Sequence, residues 1–175
     1  QITNHESLIA FFAVFLLFFR LGVTTLTNWD EAWFASVAAD MAERRDFLVG
    51  HWNGQVWFYE PPILTWALAG MMTVFGKQEF WLRSFNALCG LLIVLLSVRL
   101  AHMVSGSRLA GFLTGIIFLS NIEFLFRSRQ INVEVPVTLF LLASLSSTFM
   151  AAKTKKTRWF VSTGLFLGLS FLTKR

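Results

Sequence analysis

Five long apolar blocks, nearly free of charge, run through this chain with short charged stretches between them. They occupy roughly residues 7–27, 81–104, 109–126, 133–152 and 159–173. About 20 apolar residues are needed to cross the hydrocarbon core of a bilayer, and a single segment that crosses it must satisfy its own backbone as a helix. The sequence therefore predicts an all-α, polytopic transmembrane helical bundle. Charged residues make up 14% of the chain, against about 25% in an ordinary soluble domain. Arg20 and Arg99 lie where a long side chain can snorkel to the interface. The net charge of +5 is confined to loops, which fits membrane topology better than a phosphate-binding patch, so no nucleic-acid partner is expected. The lone cysteine, Cys89, sits in an apolar run and reads as packing.

Loop charge predicts sidedness. Lys153, Lys155, Lys156 and Arg158 form one purely basic connection, and Arg99, His102 and Arg108 another. The positive-inside rule puts both in the cytoplasm. Residues 28–79 hold Asp30, Glu31, Asp40, Glu43, Asp46, Glu60 and Glu79 against Arg44, Arg45 and Lys77, so this loop is expected outside, with the N-terminus inside. The expected location is a bacterial inner membrane, with the first loop periplasmic.

That external loop, residues 28–80, predicts two juxtamembrane helices. Asn28-x-x-Glu31 resembles a capping box, and Trp33, Phe34, Val37, Ala38 and Met41 recur at helical spacing. Gly50, Asn53 and Gly54 then mark a turn among His51, Trp52 and Trp57. Pro61-Pro62 precedes an apolar block over 63–75 that Gly76 ends; proline suits a first helical turn and glycine the residue past the last. Thirteen residues are too few to cross, so a re-entrant or interfacial helix is expected.

An ordered series of short motifs carries a family resemblance. Asp30-Glu31-Ala32-Trp33-Phe34-Ala35 resembles the Asp-Glu-x-x-Tyr-Ala signature of protein O-mannosyltransferase-like, GT-C membrane glycosyltransferases. Arg45-Asp46-Phe47 is similar to their Gly-Asp-aromatic element, Trp52-Asn53-Gly54 to their Asn-Gly, and Tyr59-Glu60-Pro61-Pro62-Ile63 to their Lys-Pro-Pro-Leu. Phe75-Gly76 and Arg83 match their Phe-Gly and Arg, and the run from Gly168 to Lys174 resembles the approach to their Thr-Lys-Gly. The nearest likeness is to the bacterial branch that includes the lipid A aminoarabinose transferases. The resemblance implies that residues 1–175 are the N-terminal part of a transmembrane glycosyltransferase domain, as does a sequence that opens on Gln1 and stops at Arg175 after an apolar block.

It further implies transfer of a sugar from a polyprenyl-phosphate donor to a glycolipid or protein acceptor on the external face. Such a step needs a base for the acceptor proton and positive charge for the departing phosphate. Asp30 is the expected base by carry-over; alternatively it is a first-turn acid complementing the helix dipole. Glu31 is expected beside it in the catalytic group, supporting the base or serving a metal, or else capping the helix. Glu134, before Pro136, stands at the entrance of the fourth block, where the family places a second acid; helix capping is the alternative. Arg83, Arg127, Arg129 and Lys174 are the candidate phosphate ligands, since guanidinium forks match phosphate oxygens, or else helix-end anchors. Trp33, Tyr59, Glu60, Pro61 and Pro62 are expected to shape the substrate loop.

Three departures stand out, one of them Tyr59, which sits where a related acidic residue can occur. Glu60 replaces the family's lysine before the proline pair, and Arg175 replaces the glycine after Thr-Lys. No cofactor is firmly expected, but Glu60 with His51 or Asp30 suggests a divalent metal as an indirect source of positive charge. Two rival functions remain at this stage. A transporter would use Asp30, Glu134 and the arginines along a substrate path, and a non-catalytic membrane assembly partner would need none of this chemistry.

Overall fold

A computed structural model describes residues 4–26 and 29–174. In chain order the elements are α1 (Asn4–Phe18), α2 (Trp29–Arg44), β1 (Gly50–Trp52), β2 (Gln55–Trp57), α3 (Ile63–Phe75), α4 (Glu79–Ser105), α5 (Arg108–Ser120), α6 (Ile122–Ser128), α7 (Glu134–Thr154) and α8 (Thr157–Phe171). The chain is thus a helical bundle with two extra helices, α2 and α3, in its first long loop. Helices α4 and α7 are each long and apolar enough to cross a membrane, and α5 with α6 makes a third crossing if the bent pair is one span.

The structure differs from the expected spans in three places. The block at 109–126 is broken: α5 and α6 meet at a 72° bend. Asn121 causes the break, since its extended backbone stops α5 while its side chain accepts from the Phe124 N–H and starts α6. The block at 7–27 is helical only to Phe18, and Arg20 then takes a left-handed φ of 55° that an α-helix cannot continue. At 15 residues each, α1 and α8 extend roughly 22 Å, short of the roughly 30 Å hydrocarbon core. The capping residue expected at Asn28 lies outside the described residues.

Between α2 and α3 the turn-rich stretch proves to be a small antiparallel hairpin, with Gly50 opposite Trp57 and Trp52 opposite Gln55. Asn53 and Gly54 both have positive φ, 51° and 77°. This is the requirement of a two-residue type I′ turn, which Asn-Gly meets at low steric cost. Asp46 tethers the entry, its Oδ1 accepting from the backbone N–H groups of Leu48 and Val49.

The largest buried cluster lies beneath this loop. Phe34, Val37, Ala38 and Met41 of α2 meet Leu64, Leu68 and Met72 of α3, together with Trp57, Leu82, Ile131 and Val133. The loop is therefore a packed cap seated on the start of α4 and on the α6–α7 connection. At the opposite end of the bundle, Glu6 of α1 approaches His102 near the end of α4 (3.8 Å).

Candidate functional site

The cap end gathers most of the residues singled out in the sequence. Asp30 and Trp33 come from the first turns of α2, Trp57 from β2, and Tyr59 and Glu60 from the strap that leads into α3. Glu134 opens α7, and Lys174 follows α8. Together with Phe34 and Val133 they line one cavity of about 140 Å³. A second cavity, of about 330 Å³, shares Trp57 and Glu60 and adds Pro61 and Pro62. Asp30, the proline turn and Glu134 thus stand at the same end of the molecule around adjoining hollows.

Glu134 and Lys174 are joined by an ion pair, Nζ to Oε1 at 3.0 Å, and both side chains remain nearly half exposed. The pair links the start of α7 to the end of α8. Nearby, the Ile63 N–H donates to the Leu172 carbonyl (3.3 Å), which fastens the start of α3 to the same place. Three carboxylates, Asp30, Glu60 and Glu134, therefore line the smaller cavity with a single ammonium, Lys174. Arg127 is close enough to feel the charges of Glu134 and Asp30; its Nε donates to Glu123 at 2.7 Å.

Aromatic rings form one wall. Trp33 is the hub, with ring centroids 5.6 Å from Trp52, 5.8 Å from Trp57, 5.5 Å from Tyr59 and 6.2 Å from Trp29. Trp57 was not foreseen as a site residue. It is 6% exposed and lines both cavities. The signal was present, because Asn53-Gly54 flanked by His51-Trp52 and Gln55-Val56-Trp57 specifies a hairpin whose alternation turns Trp57 inward.

For three of the candidates the contacts favour the scaffold alternative. Glu31, a candidate for the chemistry, is only 1% exposed and fully engaged: its carboxylate accepts from Arg83 Nε (2.9 Å), Arg83 Nη2 (2.8 Å) and the Ile131 N–H (3.0 Å). Arg83, expected to hold a phosphate, directs its remaining donors at the Leu21, Thr24 and Thr25 carbonyls. With five N–H groups and a bidentate carboxylate among its partners, it has none left for a phosphate. Arg129 caps α1, its terminal nitrogens donating to the Leu16 and Phe19 carbonyls. These are helix-end acceptors that would otherwise lack partners. Burial, with Arg83 near, draws the Arg129 guanidinium below its ordinary pKa.

The α6–α7 connection that carries Glu134 is fixed by asparagines. Asn132 donates to the Arg127 and Gln130 carbonyls and accepts from the Val135 N–H, while Asn86 of α4 donates to the Asn132 carbonyl at 2.8 Å. For the metal expectation, His51 faces Asp40 (3.4 Å). Among the described residues no group of three or more His, Cys, Asp or Glu side chains is arranged to hold a metal ion. Glu60 shares its cavity with Asp30, whereas His51 pairs with Asp40.

Comparison with known proteins agrees with this architecture. A family model described as dolichyl-phosphate-mannose-protein mannosyltransferase matches residues 59–175. An uncharacterized protein of Aquifex aeolicus is 30% identical over 91% of this chain and 32% of its own length. The undecaprenyl phosphate-alpha-4-amino-4-deoxy-L-arabinose arabinosyl transferase of Aeromonas salmonicida is also 30% identical, over 91% of this chain and 30% of its own. The crystal structure of ArnT from Cupriavidus metallidurans bound to undecaprenyl phosphate superposes with a TM-score of 0.87 at 24% identity, covering 96% of this chain and 32% of that one. The chain spans about a third of the length of these relatives. On the family match, the packed cap and the shared motif order, this chain belongs to the dolichyl-phosphate-mannose-protein mannosyltransferase family of membrane glycosyltransferases.

Proposed function

We propose that this chain builds the donor pocket of an enzyme that moves a sugar from a polyprenyl phosphate to a glycolipid of the lipid A kind, on the external face of a bacterial inner membrane. The observation that carries the proposal is the single small cavity where Asp30, Glu60, Glu134 and Lys174 meet. Asp30 is the base that takes the acceptor proton as the acceptor oxygen bonds to the sugar's anomeric carbon. The bond from that carbon to the phosphate oxygen breaks as the new bond forms, and its electron pair leaves with the lipid phosphate. Lys174 and Arg127 are the cations nearest the departing phosphate; Arg83 and Arg129 instead hold the scaffold. Glu134 positions Lys174, and Glu31 positions α2 so that Asp30 faces the cavity.

The excess of carboxylate over ammonium also favours a donor whose sugar is itself cationic. An amino sugar, as in the substrate named for the Aeromonas relative, would meet opposite charge where Glu60 replaces the lysine of the family pattern. The sidedness rests on loop charge: the acidic cap is external, and the ends near Arg108 and Lys155 are cytoplasmic.

The test is full-length protein in proteoliposomes supplied with undecaprenyl-phosphate-linked aminoarabinose and a lipid A acceptor. Product formation that falls about 10²–10⁴-fold in Asp30→Asn, with the fold intact, supports a general base. Transfer unchanged by that substitution, or flux of donor across the bilayer without turnover, overturns the proposal.

A further inference from the structure

At the end of the bundle away from the cap, α4, α7 and α8 enclose a groove of about 270 Å³. Its walls are Leu96 and Met103 of α4, Met150 of α7 and Phe166 of α8, and two polar groups face the same hollow, Arg99 and Trp159. Arg99 is exposed and makes no hydrogen bond or ion pair among the described residues, whereas the indole N–H of Trp159 is buried without an acceptor. A buried donor left unmet costs free energy that a ligand oxygen would recover. Arg158 lies over the Trp159 ring at 5.3 Å, and Arg108, Lys153, Lys155 and Lys156 crowd the adjoining helix ends. The acid known at this end, Glu6, is taken by His102.

An apolar trough with two unmatched donors at its polar edge, in a field of fixed positive charge, has the chemistry of a lipid with an anionic headgroup. We infer that this groove holds one anionic glycerophospholipid of the cytoplasmic leaflet, its acyl chains along Leu96, Met150 and Phe166. Its phosphate lies between Arg99 and the Trp159 N–H. The site is remote from the cavity at Asp30 and does not depend on the function proposed for it. Its effect is to tie α4 to the α7–α8 hairpin at the end where no cap helix joins them.

Full-length protein in nanodiscs of mixed phosphatidylglycerol and phosphatidylcholine, released for native mass spectrometry, tests this. One phosphatidylglycerol is retained per protein, and Arg99→Gln lowers the preference for it over phosphatidylcholine about fivefold, the worth of one cation near an anionic surface. Met150→Trp, which fills the trough, expels the lipid of either headgroup. Equal retention of both lipids by the unaltered protein overturns the inference, as does a preference that Arg99→Gln leaves unchanged. A photo-crosslinker at Met150 that captures another segment of the protein in place of lipid also overturns it.

Discussion

Replacing Arg83 with methionine strands the Glu31 carboxylate at 1% exposure and leaves the Leu21, Thr24 and Thr25 carbonyls without their donor. Breaking a buried pair from one side costs about 3–5 kcal/mol, because the surviving charge stays out of water. That is a loss of roughly a hundredfold to several thousandfold in the folded-to-unfolded ratio. Removing both charges in a Glu31→Leu, Arg83→Met double variant should cost much less. Thr24 and Thr25 are exposed, so their carbonyls regain water, whereas the Ile131 N–H stays buried. The double variant then keeps a deficit of about 1–3 kcal/mol for each buried group left without a partner, the Ile131 N–H and the carbonyl of the buried Leu21. Denaturant titration of the full-length protein in bicelles yields the four corners of the cycle, with a coupling of at least about 3 kcal/mol expected. Hydrogen exchange at Ile131 should rise in Glu31→Leu. A cycle that closes within about 0.5 kcal/mol, or an Arg83→Met variant costing under about 1 kcal/mol, would refute the idea that the pair acts as one buried unit.

Arg129→Ala should destabilise the protein by about 1.5–3 kcal/mol in the same titration, the worth of charge-assisted bonds to the Leu16 and Phe19 carbonyls. Gly90→Ala brings a Cβ within 2.7 Å of Ser128, which is fully buried and cannot retreat, so a loss of about 1–3 kcal/mol is expected. Gly115→Ala brings a Cβ within 2.8 Å of Cγ2 of the buried, β-branched Ile9 side chain and should cost a similar amount. Glu60→Lys should shift donor choice from an amino sugar toward a neutral one, read in a competition assay between the two polyprenyl-phosphate donors; an unaltered ratio would show that cavity charge does not select the sugar.

Local chemistry made the cap helices legible in advance. Pro61-Pro62 and Gly76 punctuate α3, whose observed bounds are the expected ones, and the spacing of Trp33, Phe34, Val37, Ala38 and Met41 specifies the buried side of α2. What sequence could not supply was the partner of each charge. Arg83, Arg127 and Arg129 read alike as cations near a loop. Only the turn after α1, which aims carbonyls inward, separates two scaffold arginines from one beside the cavity. The break at Asn121 was hidden for a different reason. The apolar run continues across it, and hydropathy averages over the one polar residue whose side chain satisfies a new helix start.

Glu31 accepts from a backbone N–H that lies 100 residues further along the chain. At a synthesis rate of about 5–20 residues per second, Ile131 leaves the ribosome roughly 5–20 s after its partner. During that interval the nascent α2 carries an acid for which neither the closing amide nor the α6–α7 connection yet exists. The contact that locks α2 in place therefore forms late, only after the chain through α6 has been made.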